Sequence, residues 1–216
     1  MCKNIIVGVS QRVDSIASYD EIRDVLDHRL IQWLVEAGCT PIPIPNTLVS
    51  CDNSQSVEHN QVLLNWLETL NIKALVLSGG NNIGEFSMRD RTENTLLSWA
   101  EKNSYPVLGI CRGMQMMGIR AGAELIKVTG HVRAKHKLQV SEQLTKYHEM
   151  VNSYHDFALK ECPKYFKVTA RSEDGCLEAI KHNSLPWEAW MWHPEREDEF
   201  SSTDILRFKK LLNNEK

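Results

Sequence analysis

The chain has 216 residues, 42% of them hydrophobic and 25% charged. That is the size and balance of one globular domain with a substantial core, and it excludes a disulfide-stapled miniature or a repeat array. With 25 lysines and arginines against 28 aspartates and glutamates the net charge is −3, which argues against nucleic acid as the main partner.

Residues 4–9 read as a short buried strand. The apolar residues Ile22, Val25, Leu26, Leu30, Trp33, Leu34 and Ala37 recur at helical spacing, which predicts a helix over residues 19–38 stopped by Gly38. Prolines alternate through residues 41–45, so this segment belongs at a sheet edge, where missing donors are tolerated. A second amphipathic helix is expected over residues 58–70, followed by a buried strand over 74–77 that runs into Ser78-Gly79-Gly80-Asn81-Asn82. A helix over residues 92–103, capped by Asp90 or Thr92, leads to a strand over 107–110.

Such β-α alternation predicts an α/β fold with a mostly parallel sheet covered by helices on both faces. Ligands of such sheets bind beyond the carboxyl ends of the strands. The second half changes texture. Residues 138–140, 166–170, 177–180 and 188–192 alternate like half-buried strands and predict a small antiparallel extension, closed by a helix over residues 203–212. Trp187, Trp190 and Trp192 are expected in the core. With no linker, low-complexity tract or internal repeat, residues 1–216 read as a single domain. The start carries one positive charge before a run too short for a signal peptide, and no stretch approaches about 18 uninterrupted apolar residues. The six cysteines (Cys2, Cys39, Cys51, Cys111, Cys162, Cys176) form no C-x-x-C pair. A cytoplasmic, non-membrane protein with reduced thiols is therefore expected.

Gly109-Ile110-Cys111-Arg112-Gly113 follows a buried strand and precedes a helical segment, the arrangement of a nucleophile elbow with cysteine in the serine position. Glycines two residues either side fit a chain that reverses sharply, because side chains there would strike the sheet and the helix. A helix N-terminus favours the thiolate, the nucleophilic form. Alone, the motif is equally compatible with a buried cysteine in an ordinary turn. His193-Pro194-Glu195 tips the balance: proline holds His193 extended, which puts Glu195 on the same side as the imidazole. An imidazole oriented by a carboxylate is the general base, and then general acid, that a thiol nucleophile needs. Ser78-Gly79-Gly80 adds a strand end whose backbone can approach a substrate, so that the N–H groups of Gly80 and Arg112 could hold a tetrahedral oxyanion.

In order and spacing, Ser78-Gly79-Gly80, Gly109-Ile110-Cys111-Arg112-Gly113-Met114-Gln115 and Trp192-His193-Pro194-Glu195 resemble the class I glutamine amidotransferase-like superfamily over nearly the whole chain. Arg112 after the cysteine, and Val151-Asn152-Ser153-Tyr154-His155, look like its γ-glutamyl-γ-aminobutyrate hydrolase branch, the γ-glutamyl peptidases. The resemblance implies a flavodoxin-like fold, Cys111 as nucleophile, His193 as base, Glu195 as its orienter, and Gly80 with Arg112 as oxyanion hole. It also implies that Gln115 and the Ser153-Tyr154 segment, with His155, hold the γ-glutamyl group. Asp156-Phe157 stands where the branch commonly has histidine and glutamine, so the leaving-group side departs from the pattern.

No acidic residue lies between Glu124 and Glu142, whereas Lys127, His131, Arg133, Lys135, His136 and Lys137 do. This segment reads either as a solvated positive face or as a loop that holds a carboxylate, phosphate or diphosphate, with His131 and Arg133 as its first contacts. Residues 88–93 form a second candidate rim or a helix cap with surface charges. The histidines and cysteines show no recognisable metal-ligand spacing, and no cofactor is expected. The expected reaction is release of glutamate from a γ-glutamyl amide through a γ-glutamyl thioester. The substrate would be γ-glutamyl-γ-aminobutyrate-like, or a nucleotide-linked γ-glutamyl amidate of surface-polysaccharide biosynthesis. The alternative is a glutaminase subunit that supplies ammonia to a separate synthetase. The expected partner is a small γ-glutamyl substrate, with room left for a homodimer and, under the alternative, for the synthetase. A non-catalytic member of the fold fits poorly with the presence of Cys111, His193 and Glu195 together.

Overall fold

The computed structural model describes residues 5–49, 60–140, 147 and 149–214. Cys2, Cys51, Glu142 and the expected starts of the first strand at Asn4 and of the second helix at Glu58 lie outside the described residues. In chain order the strands and helices are β1 (Ile5–Ser10), β2 (Arg12–Ile16), β3 (Glu21–Val25), α1 (His28–Glu36), β4 (Cys39–Ile44), α2 (Gln61–Thr69), β5 (Ala74–Leu77), α3 (Ser87–Asn103), β6 (Val107–Ile110) and α4 (Arg112–Arg120). They continue with β7 (Leu125–Lys127), β8 (Val132–Lys137), β9 (Gln139–Val140), β10 (Met150–Tyr154), β11 (Phe157–Leu159), β12 (Phe166–Arg171), β13 (Leu177–His182), β14 (Trp187–Trp190) and α5 (Ser202–Leu212).

One eight-stranded sheet runs in the order β4-β1-β5-β6-β14-β13-β12-β9. The pairs from β4 to β14 are parallel and those from β14 to β9 antiparallel. The result is the mostly parallel α/β architecture with an antiparallel extension that the β-α pattern predicts. The proline-rich β4 lies at the sheet edge. The central strands β5 and β6 are buried at every position, as expected for strands covered on both faces. Three two-stranded ribbons, β8 with β10, β7 with β11 and β2 with β3, stand outside the main sheet.

Residues 19–38 do not form one helix. β2 and β3 make a hairpin, and α1 starts only at His28, with Asp27 as N-cap accepting the Arg29 N–H at 2.9 Å. Ile22, whose spacing matches the helix, lies on the hairpin and is 74% exposed. Leu30, Trp33 and Leu34 are the residues of that set that α1 buries, each worth about 1.5–3 kcal/mol. α3 begins five residues before its expected start because its first turns bury Arg89, Thr92 and Glu93, polar residues that leave no apolar period to read.

The core is one cluster that includes Val7, Leu75, Leu77, Leu108, Trp190 and Phe208. Trp187, Trp190 and Trp192 are all in it. α4 packs on β5 and β6 with almost no space between backbones. A Cβ on Gly109 would lie 2.7 Å from the Gly113 carbonyl carbon and from Met117 Sδ, and one on Gly113 would lie 2.8 Å from Leu77 Cβ. Gly113→Ala should therefore destabilise the fold by about 1–3 kcal/mol through overpacking, read as a lower urea midpoint at unchanged slope.

Candidate active site

Cys111 directly follows β6 as the N-cap of α4, with its backbone at φ 51, ψ −101. That conformation costs on the order of 1–3 kcal/mol in a non-glycine residue and must be imposed by its surroundings. Two hydrogen bonds impose it: the Cys111 N–H donates to Trp190 O at 2.7 Å, and the Cys111 carbonyl accepts from Gln115 N at 3.2 Å. The thiol thus stands at the N-terminus of α4, beyond the carboxyl end of a central parallel strand.

His193 follows the neighbouring strand β14. Its Nδ1 is 2.7 Å from Glu195 Oε1, and both residues are buried. Asn152 on β10 fixes the backbone of the histidine from both sides. Its Oδ1 accepts the His193 N–H at 3.0 Å, and its Nδ2 donates to His193 O at 2.8 Å and to Glu197 Oε1 at 2.7 Å. The ring lies close against Gly79, where a Cβ would come within 2.5 Å of Cε1. Burial opposes the imidazolium, but the Glu195 carboxylate and the hydrogen-bonded Cys111 outweigh it and raise His193 to about 9.

The turn between β5 and α3 is held by a buried cation. Arg89 donates to Ser78 O at 2.7 Å and to Gly79 O at 3.0 Å, and also to Gly80 O. Its charge is balanced by Glu93, 3.1 Å away, whose carboxylate also accepts from Ser10 Oγ and from Arg112. Arg112 bridges on to Asp90. Desolvation lowers Arg89 to about 10, so it stays charged. Burial works against the Glu93 carboxylate, but the two arginines more than offset it and hold its pKa below the usual range.

A cavity of about 180 Å³ opens beside Cys111, lined among others by Gly80, Arg112, Gln115, Tyr154, His155 and Asp156. Gly80 (φ 82) faces it from one side. Arg112 faces it from the other as first residue of α4, with a backbone N–H that has no intrahelical acceptor. The Tyr154 ring stands edge-on to His193 at 5.9 Å. The structure therefore gathers Cys111, Gly80, Arg112, Gln115, Tyr154 and His155 around one space, while His193 does not line it and reaches the site through its contacts with Cys111 and Tyr154, with Glu195 behind it. Ser153 does not line this cavity: it is buried, and its hydroxyl donates to His131 O at 2.8 Å.

The basic segment also lies elsewhere. Instead of a loop, most of it is β8, paired antiparallel with β10. His131 is buried against Asp174, Lys135 and Lys137 approach Glu197 and Glu149 at 3.7 and 3.1 Å, and Arg133 is exposed. None of them lines the cavity beside Cys111.

The family model for class-I glutamine amidotransferases matches residues 21–211. The chain belongs to this family. It is 27% identical over 212 residues to a gamma-glutamyl-CDP-amidate hydrolase of Campylobacter jejuni, covering 94% of this chain and 96% of that one. It is 32% identical over 194 residues to a glutamine-hydrolysing GMP synthase subunit of Pyrococcus abyssi, covering 85% and 92%. Among solved structures, a glutamine amidotransferase from Thermotoga maritima superposes with a TM-score of 0.63 at 14% identity, covering 98% of this chain and 85% of that one. A Thermoplasma acidophilum protein provisionally named as a GMP synthase subunit gives 0.71 at 24%, covering 99% and 96%. These two establish likeness of fold.

Within this amidotransferase, sequence reasoning passes over three residues that build the site. Asn152 lies beside Ser153 and Tyr154 in the β10 motif, but its two-sided clamp on His193 has no sequence signal. Arg89 and Glu93 sit in the charged run 88–93, read as a rim or as a helix cap with surface charges, yet both are fully buried and neither lines the cavity. Nothing in the alternation of charges along α3 distinguishes them from a surface face.

Two outcomes follow from these burials. Glu93→Gln should cost about 3–5 kcal/mol, because it strips the partner from two buried guanidinium groups. A depressed carboxylate stabilises the fold above its unfolded pKa, so in urea titrations the deficit of the variant should shrink as the pH falls through the folded value. His193 has the opposite sign. Raised to about 9, it stabilises the fold below its unfolded value near 6.5, and that stability is lost as pH rises through about 9. Imidazole NMR should show this titration in the wild type and a lower pKa in Glu195→Gln.

Proposed function

We propose that the protein is a cysteine-dependent γ-glutamyl amide hydrolase in which Cys111, His193 and Glu195 act as a triad. The observation that carries this reading is the contact set at Cys111: a thiol in a strained elbow, hydrogen-bonded to an imidazole whose far nitrogen is 2.7 Å from a buried carboxylate. The thiolate attacks the γ-carbonyl carbon, and the N–H groups of Gly80 and Arg112 hold the oxyanion. The C–N bond breaks as His193 donates its proton to the departing nitrogen, leaving a γ-glutamyl thioester on Cys111. His193 then takes a proton from water, whose oxygen attacks the thioester carbonyl. Collapse releases glutamate and expels the Cys111 thiolate, with the proton taken from water on His193, which restores the starting pair.

Gln115, Tyr154 and His155 on the cavity wall would surround the γ-glutamyl group, with the acidic Glu85 and Asp156 suited to its α-ammonium. Ser153 and the β8 cations are not used in this reading. The near full-length match to the gamma-glutamyl-CDP-amidate hydrolase favours a nucleotide-linked γ-glutamyl amidate as substrate. The departing nitrogen would then be that of a phosphoramidate. A second reading is favoured by the 32% match to a GMP synthase subunit: a glutaminase that passes ammonia to a separate synthetase. The same triad chemistry serves both.

Glutamate release, measured at equal protein concentration from glutamine, γ-glutamyl-γ-aminobutyrate and a nucleotide-linked γ-glutamyl amidate, separates them. The amidate should exceed glutamine by orders of magnitude in kcat/KM. Slow turnover of glutamine alone would instead favour the synthetase-coupled reading. Cys111→Ala should lower turnover by at least about 10⁴-fold with the fold intact by circular dichroism, and Glu195→Gln should cost less than His193→Ala. Activity unchanged in Cys111→Ala would sink the mechanism.

A further inference from the structure

A second polar cluster lies behind the cavity wall. His131 just before β8, His155 just after β10 and Glu178 on β13 are all buried. His131 Nδ1 is 3.7 Å and His155 Nε2 3.8 Å from the same atom, Glu178 Oε1. Neither of these nitrogens, nor either Glu178 oxygen, has a hydrogen-bond partner among the described residues.

The remaining ring nitrogens are committed. His131 Nε2 is 2.8 Å from Asp174 Oδ2, and His155 Nδ1 is 3.1 Å from Phe157 O. A carboxylate and a carbonyl can only accept, so in the neutral rings these nitrogens carry the protons and the facing nitrogens carry lone pairs. Two lone pairs and a carboxylate therefore point into one buried space with no donor between them. An unsatisfied buried carboxylate is strongly unfavourable, whereas a divalent cation at the common point satisfies all three groups.

We propose that His131 Nδ1, His155 Nε2 and the Glu178 carboxylate bind one divalent transition-metal ion, with Zn²⁺ the best match. Tetrahedral ligands at about 2.1 Å from zinc stand about 3.4 Å apart; the two nitrogen–oxygen separations are 3.7 and 3.8 Å and all three ligand atoms lie within 4.8 Å of one another, so binding draws the group inward. Imidazole nitrogen with a single carboxylate suits zinc better than magnesium or calcium, which take oxygen ligands. His136 stands beside the group, its ring 4.3 Å from that of His131 and its Nε2 without a partner among the described residues, but it lies outside the three-residue cluster, so water is left to take the fourth position. The acceptors behind the two histidines are the outer supports that ligating imidazoles require. Asp174 is itself held by Ser172 Oγ at 2.5 Å.

The sequence spacing carries no sign of this site, because the three ligands come from separate stretches of the chain. The ion would fix the segment His155-Asp156-Phe157, which lines the cavity and whose Phe157 carbonyl accepts from Gln115 at 2.8 Å. Its role is structural, and it holds whichever reaction Cys111 performs.

The test is metal binding by the full chain, stripped with a chelator and titrated with Zn²⁺ alone, with Co²⁺ as a spectroscopic substitute. One equivalent should bind, and Co²⁺ should give the intense visible bands of a tetrahedral site. Glu178→Gln should weaken binding by at least about 100-fold. Asp174→Asn, a change at a half-exposed side chain that does not threaten folding, should weaken it by about 10–100-fold. His28→Ala, on the exposed side of α1, should leave it unchanged, as should Cys111→Ser. Failure of the wild type to bind one equivalent overturns the proposal. So does binding that survives Glu178→Gln and Asp174→Asn but is lost in Cys111→Ser, which would place the ion at the thiol.

Discussion

Everything at the site leans on one buried carboxylate. Glu93 lies between Arg89 and Arg112, accepts from both, and takes a further hydrogen bond from Ser10 on β1. Through Arg89 it fixes the carbonyls of Ser78, Gly79 and Gly80, and through Arg112 it fixes the first residue of α4. The two backbone N–H groups proposed to meet an oxyanion therefore belong to segments anchored by the same charge. Hydrogen-bond donors aimed in advance at developing charge are worth far more than donors that must reorganise. A buried ion network offers little net stability over apolar packing, so its value here lies in placing two turns relative to each other.

The same logic explains how His193 is held. Its backbone is clamped by Asn152, its ring rests on Gly79, and its Nδ1 is occupied by Glu195. Only Nε2 is left to face the thiol. With two ring contacts and the backbone fixed, the imidazole has essentially one orientation, which is what the proposed base, with its two successive proton transfers, would require.

How much of this is legible in the sequence depends on the range of the forces involved. The elbow can be read because its constraint is local: Gly109 and Gly113 are needed where α4 meets β5 and β6. His193 and Glu195 can be read because proline sets the backbone between them. The strands β5 and β6 announce themselves as unbroken apolar runs. The hairpin of β2 and β3 does not, because Ile22 and Val25 fall by chance on the helical period of α1. Asn152, Arg89 and Glu93 act across many residues of chain and give no periodic signal. The basic segment misleads for a related reason. A run of like charges reads as one surface, whereas strand geometry sends neighbouring side chains to opposite faces. On β8, Arg133, Lys135 and Lys137 are exposed while His136 turns inward.

Four glutamates are buried among the described residues: Glu93, Glu178, Glu188 and Glu195. Three of them meet the cost of burial with a protein cation or a hydrogen-bonded ring: Glu93 with its two arginines, Glu188 with Arg207 at 2.7 Å and Lys181 at 3.5 Å, and Glu195 with His193. Among the described residues Glu178 has no hydrogen-bond partner for its carboxylate, and the imidazoles of His131 and His155 stand beyond hydrogen-bonding distance with their protons turned toward other acceptors. A fold that balances the charge of the other three has no physical reason to strand the fourth. The imbalance is removed if the positive charge comes from outside the chain, bound by the groups that otherwise repel one another. The cavity wall beside Cys111 would then rest on an ion much as the Ser78-Gly79-Gly80 turn rests, through Arg89, on Glu93.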